Sequence, residues 1–276
     1  NQGICGSGAP SAAGAVHTRG QQPVENVTVS ISGQGSTTAV TSAAGQYAFE
    51  GLQPGLDYTL TPQRDGDYLN GVSTFDLVLI SKHILGIQPL ASPYQLIAAD
   101  VNNSRSITTL DMIQLRKLIL SVDTEFSNND SWRFVDASYV FPNPANPWLA
   151  PFPEGINLNN LPLSGVTAAD FIAVKIGDVS GDAVASSLVG GIEERSTATF
   201  VLRAADASLR AGEEYSVVVS APGLAGIEGY QATLALSSAA ELLGIKGGVA
   251  SEEHFGFAHA SEGLITTSWN GEATEG

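Results

Sequence analysis

A single cysteine, a single methionine and only 12 lysines and arginines stand in this chain of 276 residues. Each scarcity removes a class of explanation. With Cys5 alone, no disulfide can close within the sequence. Its thiol is expected to be unpaired near a frayed end or bonded to a cysteine elsewhere. Twelve basic side chains against 28 acidic ones give a net charge of -16. Nucleic acid is thereby excluded as a partner, because its phosphates require cationic neutralisation. Divalent cations suit such a chain. No apolar run reaches the roughly 18 to 20 residues that span a bilayer, and no signal peptide or initiator methionine stands at Asn1. Asn1 therefore reads as a processed or cut start. The chain stops soon after a strand-like Leu264–Trp269, so we expect a piece of something longer. Charged residues make up 14%, against about 25% in an average soluble protein. The polar surface must then be Ser, Thr, Asn, Gln and Gly, as in secreted β-rich proteins.

Catalytic signatures are also missing. His17, His83, His254 and His259 form no H-E-x-x-H pattern, and there is no G-x-S-x-G elbow, P-loop or dinucleotide fingerprint. The acidic pairs Glu193-Glu194, Glu213-Glu214 and Glu252-Glu253 lie in turn-like segments and read as solvated faces. No catalytic residue is expected, and the chain reads as a non-enzyme.

What is present is a phrase used three times: Gly71-Val-Ser-Thr-Phe-Asp76-Leu, Ser106-Ile-Thr-Thr-Leu-Asp111-Met and Gly165-Val-Thr-Ala-Ala-Asp170-Phe. Each places Ser or Thr three residues before Asp, with an apolar run after it. A twelve-residue calcium loop takes side-chain oxygens at positions 1, 3, 5 and 12, a carbonyl at 7 and often a water at 9. On the second copy Asp100, Asn102, Ser104, Thr108 and Asp111 fall on positions 1, 3, 5, 9 and 12, with the Ser106 carbonyl at 7. Arg105 stands at the sharp turn where Gly is favoured. On the first copy Asp65, Asp67, Ser73 and Asp76 take positions 1, 3, 9 and 12, with Gly71 at 7; Leu69, at position 5, cannot ligate. The third copy keeps Thr167 and Asp170 without acidic groups upstream. A fragment, Asp178-Val-Ser-Gly-Asp182, begins like a loop but has Val189 at its twelfth position. Alternatively, Asp76, Asp111 and Asp170 simply cap helix starts.

Three zones follow. Residues 13–63 read as short strands, including Val27–Ile31, Gly45–Phe49 and Tyr58–Thr61, separated by Gly- and Pro-containing turns. Residues 64–185 switch to helical spacing: Phe75–Leu85, Leu110–Leu120 and a shorter third helix, Phe171–Ile176, closed by Gly177. The Pro- and Asn-rich stretch between the last two is expected to be held by Trp132, Phe134, Tyr139 and Trp148. Residues 186–196 read as a linker. Strands return from 197 to 276, at 198–202, 215–219, 229–236 and 264–269.

The run Pro23-Val-Glu-Asn-Val-Thr-Val, then Thr41-Ser-Ala-Ala-Gly-Gln-Tyr-Ala-Phe, then Gly51-Leu-Gln-Pro-Gly-Leu-Asp-Tyr-Thr-Leu, resembles carboxypeptidase-regulatory-like and CnaB-like immunoglobulin-type modules. Some CnaB-like members carry a Lys–Asn isopeptide bond, but residues 13–63 contain no Lys. Residues 65–120 resemble a type I dockerin, with loop-plus-helix repeats 35 residues apart. That resemblance implies Ca2+-dependent folding and docking onto cohesin-like domains. Residues from Ala211-Gly-Glu onward resemble the opening of a cohesin-like sandwich. The expected fold is mixed and multi-domain: an N-terminal segment (1–12), an Ig-like β-sandwich (13–63), EF-hand-like dockerin helices with an irregular extension (64–185), a linker (186–196) and a partial β-sandwich (197–276).

The expected role is a calcium-stabilised structural or adhesive segment of an extracellular bacterial surface protein or fibre, partnered by further copies or neighbouring domains. The alternatives are a dockerin–cohesin interaction module and an accessory region of a secreted hydrolase.

Overall fold

Residues 9–188 and 201–272 are described by a computed structural model. Cys5, the expected linker from 189 onward and the first part of the expected strand 198–202 lie outside them. Among the described residues the chain is mainly β, with four sheets and three α-helices.

The first zone supplies β1 (Ala12–Thr18), β2 (Thr28–Ser32), β3 (Ser36–Val40), β4 (Gln46–Phe49) and β5 (Tyr58–Gln63). Val29 and Ile31 point inward while their neighbours are more exposed, the alternation of a half-buried strand. β5 runs on through Pro62, past the point where the sequence suggested a stop. Its partner on one side pairs only with Tyr58 to Leu60, so Pro62 sits where no donor is needed on that flank.

Helices α1 (Thr74–Ile84), α2 (Pro93–Ala99) and α3 (Thr109–Ile119) come next. α1 and α3 open with capping boxes, Ser73 with Asp76 and Thr108 with Asp111. α2 begins at Ser92 with Pro93 at its first position; the sequence reading did not find it. Leu77, Ile80, Leu115 and Leu118 pack the helices together with Ile97 from α2.

The chain then returns to strand: β6 (Trp132–Asp136), β7 (Ile156–Leu158) and β8 (Phe171–Lys175). One sheet runs β4-β1-β8-β6 and the other β3-β2-β5-β7. Val16, Val29, Leu60, Trp132 and Phe171 from both sheets share one core. The expected boundary at residue 64 is therefore crossed by strand pairing. β8 lies parallel to β1, with Val16 opposite Phe171, and β7 pairs with β5. The three helices form an excursion between β5 and β6.

The expected helix Phe171–Ile176 is corrected to strand β8. Phe171 and Ala173 face the sandwich core, while Val174 and Ile176 join the helical core. A strand covered on both faces reads as an unbroken apolar run, which spacing cannot distinguish from a buried helix. Asp170 caps no helix either; its Oδ1 accepts the Ala15 N–H at 2.7 Å.

Beyond residue 201 the pairing is lighter. β9 (Arg203–Ala204) and β10 (Val219–Ser220) form a two-residue ladder, less than the strand expected at 215–219. β11 (Gly229–Ala235), β12 (Phe255–Gly256) and β13 (Leu264–Asn270) form a sheet in the order β11-β13-β12.

Candidate metal-organised loops

The second loop takes the shape that its spacing implies. Asp100 is its first residue, and Asp100 Oδ1 accepts the Ser104 N–H while Oδ2 accepts the Arg105 N–H, both at 2.8 Å. Asp111 closes it, Oδ1 accepting the Asn102 N–H at 3.1 Å and Oδ2 the Thr108 N–H at 2.8 Å. Ser104 Oγ lies 3.2 Å from the Ser106 carbonyl, and Asn102 Oδ1 accepts the Ser104 N–H. Arg105 takes a left-handed conformation, φ 64°, at the position where Gly was expected. Asp100, Asn102, Ser104, Ser106, Thr108 and Asp111 thus belong to one wound loop.

The first loop is assembled differently from its sequence reading. Asp65 is drawn away: its Oδ1 accepts the Ser131 N–H at 2.8 Å and its Oδ2 the Tyr68 hydroxyl at 3.1 Å. Burial works to raise the Asp65 pKa, but these hydrogen bonds outweigh it and leave the carboxyl below its ordinary range. Asp67, at φ 50°, makes a turn closed by the Asn70 N–H. The bonds of Asp76 run instead to a segment about a hundred residues later. Asp76 Oδ1 accepts the N–H groups of Val179 and Ser180, both at 2.9 Å. Asp76 Oδ2 accepts the Ser73 N–H at 2.9 Å. Asp178 Oδ1 accepts the Asp182 N–H and Oδ2 the Ala183 N–H, also at 2.9 Å.

Six residues, 178–183, followed by six residues, 71–76, make twelve. Numbered across the break, the two loops share four bonds, to which the split loop adds the Val179 N–H on Asp76 and the Gly181 N–H on Asp178. The first carboxylate receives the fifth and sixth N–H groups, and the twelfth receives the third and ninth. The halves meet at Gly71 (φ 73°), where a Cβ would collide with the backbone of Ala183. Asn70 fastens the join, its Oδ1 accepting the Val184 N–H and its Nδ2 donating to the Val184 carbonyl, each at 2.9 Å. The segments leading into the two loop heads are bonded to each other, the Gly177 N–H donating to the Ala98 carbonyl at 2.9 Å.

In the structure Gly71, Ser73 and Asp76 are wound together with Asp178, Ser180 and Asp182, whereas Asp65 is bonded to Ser131 and Tyr68. The signal was in the sequence. Asp178-Val-Ser-Gly-Asp182 is a loop head without a tail, and Gly71 to Asp76 is a tail without a good head.

The electrostatics are unusual. Asp76 and Asp111 are 0% exposed, Asp100 is 1% and Asp178 is 8%. None of the four forms an ion pair with Lys or Arg among the described residues. Burial, then the charge of Asp178, pushes Asp76 up to about 6. Burial also raises Asp100 and Asp178. Lys175 Nζ is spent on the Tyr68 carbonyl at 2.9 Å, and its pKa is lowered to about 8, chiefly by burial. The donor set is all oxygen, which fits a hard cation. Among the described residues no three His, Cys, Asp or Glu side chains gather as a metal-binding group.

No protein-family model, curated protein or solved structure matches this chain. Among the described residues no helix is long and apolar enough to cross a membrane.

Proposed function

We propose that the chain is a non-catalytic, calcium-stabilised structural segment of an extracellular bacterial surface protein or fibre, with a dockerin-like pair of loops at its centre. One loop is continuous, from Asp100 to Asp111. The other is split, with Asp178, Ser180 and Asp182 supplying its head and Gly71, Ser73 and Asp76 its tail. The observation that carries this reading is the set of four carboxylate–backbone bonds that the two loops share. Buried carboxylates held by backbone N–H groups, with only Asp178 feeling a nearby lysine (Lys175), give it physical support, since buried charge is costly and a divalent ion would offset the cost. A filled split loop would clasp the entry of α1 to the chain leaving β8, tying the helical excursion to the sandwich.

The acidic, low-charge composition supports an extracellular setting. The test is calorimetric titration of chelator-stripped protein with Ca2+. Two bound ions per chain are expected, and heats no larger than dilution would overturn the proposal. A second reading, an interaction module of dockerin–cohesin type, is favoured by one observation: the C-terminal sheet lies against α1 and α3.

A further inference from the structure

Two Asn-Gly pairs occur in the chain, Asn70-Gly71 and Asn270-Gly271. Asparagine is a thermolabile residue, and most of all before glycine, which has no side chain to shield its backbone nitrogen from the neighbouring carboxamide carbon. The first pair stands at the join of the split loop. Both of its residues are half-buried, so water reaches them. The Asn70 carboxamide is held at both ends, Oδ1 by the Val184 N–H and Nδ2 by the Val184 carbonyl, each at 2.9 Å. Gly71, at φ 73°, stands so close to the Ala183 backbone that not even a Cβ would fit. With its carboxamide fixed on Val184, Asn70 cannot turn Cγ onto the Gly71 nitrogen. Local opening of the join frees it to do so.

We propose that Asn70-Gly71 is a modification site guarded by this join: when residues 178–184 lift from residues 70–76, Asn70 deamidates, and the altered chain no longer closes. The Gly71 nitrogen attacks Asn70 Cγ. The Cγ–Nδ2 bond breaks, and ammonia leaves carrying the proton of the Gly71 amide, which gives a cyclic succinimide. Water then opens the ring at either carbonyl, to aspartate or to isoaspartate. Neither product suits the join. Aspartate has no N–H for the Val184 carbonyl, so that group loses its partner. It also sets a negative charge beside a loop that already buries Asp76 and Asp178. Isoaspartate lengthens the main chain by a methylene where Gly71 is packed against Ala183. The reaction needs only water and is not reversed, so it converts a transient opening into a permanent one. Its extent follows the population of the open form, because local opening and closing are fast beside the chemistry.

The inference rests on the contacts of residues 70–71 with 183–184 and not on a bound ion. The test therefore uses the full chain in chelator throughout. Asp178→Ala removes the acceptor of the Gly181, Asp182 and Ala183 N–H groups and loosens the join without altering either Asn-Gly pair. Unaltered and variant chains are incubated side by side at mildly alkaline pH, and peptide mass mapping reads the conversion of Asn70 and Asn270. Asn270 is the internal reference, since Arg116 holds its Oδ1 and the Gly271 N–H donates to the Glu228 carbonyl at 2.9 Å. Conversion at Asn70 should be at least several-fold faster in the variant, with Asn270 unchanged. Equal rates at Asn70 in the two chains, or a rise there no larger than at Asn270, would overturn the guard. Asn70→Asp reproduces one product directly. It should raise hydrogen exchange several-fold at 178–184 while β1 and β5 stay as protected as before. Undiminished protection at 178–184 would show that the altered chain still closes, against the proposal. With no ion in any arm, neither result bears on the calcium titration above.

Discussion

At the scale of single residues, the duty of each acidic side chain is set by where its carboxylate is bonded rather than by its neighbours in sequence. Asp76 and Asp111 occupy the third position of a helix and also the last position of a loop, so a capping account and a metal account compete for the same atoms. They separate under chelation. In excess chelator, Asp111→Ala should cost only the capping contribution, on the order of 1 kcal/mol. With Ca2+ at a hundredfold excess over its Kd, the variant also forfeits the ion, worth about 2.7 kcal/mol. Paired denaturant titrations, with and without chelator, check this. Equal losses in both conditions would leave capping alone. At Asp65 the spacing in sequence and the bonding in the fold point different ways. Its spacing to Asp76 suits a calcium loop, yet the Ser131 N–H and the Tyr68 hydroxyl hold its carboxylate elsewhere. Those partners are remote in sequence or carry no signature, so nothing local announces them.

At the scale of elements, α1, α3 and most of the N-terminal strands were legible because each carries its own start and stop signals. Ser73 and Thr108 precede apolar runs, and Gly86 follows the first. β8 was not legible. Its two faces are buried against different cores, so the alternation that marks a strand disappears. Burial of Phe171 between β1 and the facing sheet gives a direct check. Phe171→Ala should destabilise by about 3–5 kcal/mol, as expected for a large aromatic removed from a core. The loss should appear in the unfolding of the N-terminal strands, measured by hydrogen exchange at β1 and β5. A short solvent-exposed helix at 171–176 would show a far smaller loss. The split loop was half legible. Both fragments matched the loop template in sequence, but their junction depends on β8 returning the chain to Gly71, a long-range event that spacing cannot encode.

At the scale of the molecule, one physical theme links the parts: buried carboxylates join segments that are far apart in sequence. The helical excursion leaves the sandwich at β5 and rejoins it at β6, and Asp76 and Asp178 knot its beginning to the exit from β8. Removing the ion should therefore loosen the whole rather than a single loop. Excess chelator, which removes both ions, should lower the melting temperature by about 11–22 °C, from about 2.7 kcal/mol per ion at a hundredfold excess over Kd and about 2–4 °C per kcal/mol for a chain of this size. Protection against exchange should fall together at 71–76, 100–111 and 178–184. Confinement of the change to 100–111 would mean that the split loop holds no ion.

The most direct measurement is the number of calcium ions retained per chain by native mass spectrometry, compared between Asp178→Asn and Asp65→Asn. The account predicts two ions in the unaltered protein, one after Asp178→Asn and two after Asp65→Asn. Loss of an ion with Asp65→Asn but not with Asp178→Asn, or no ion in the unaltered chain, would contradict it.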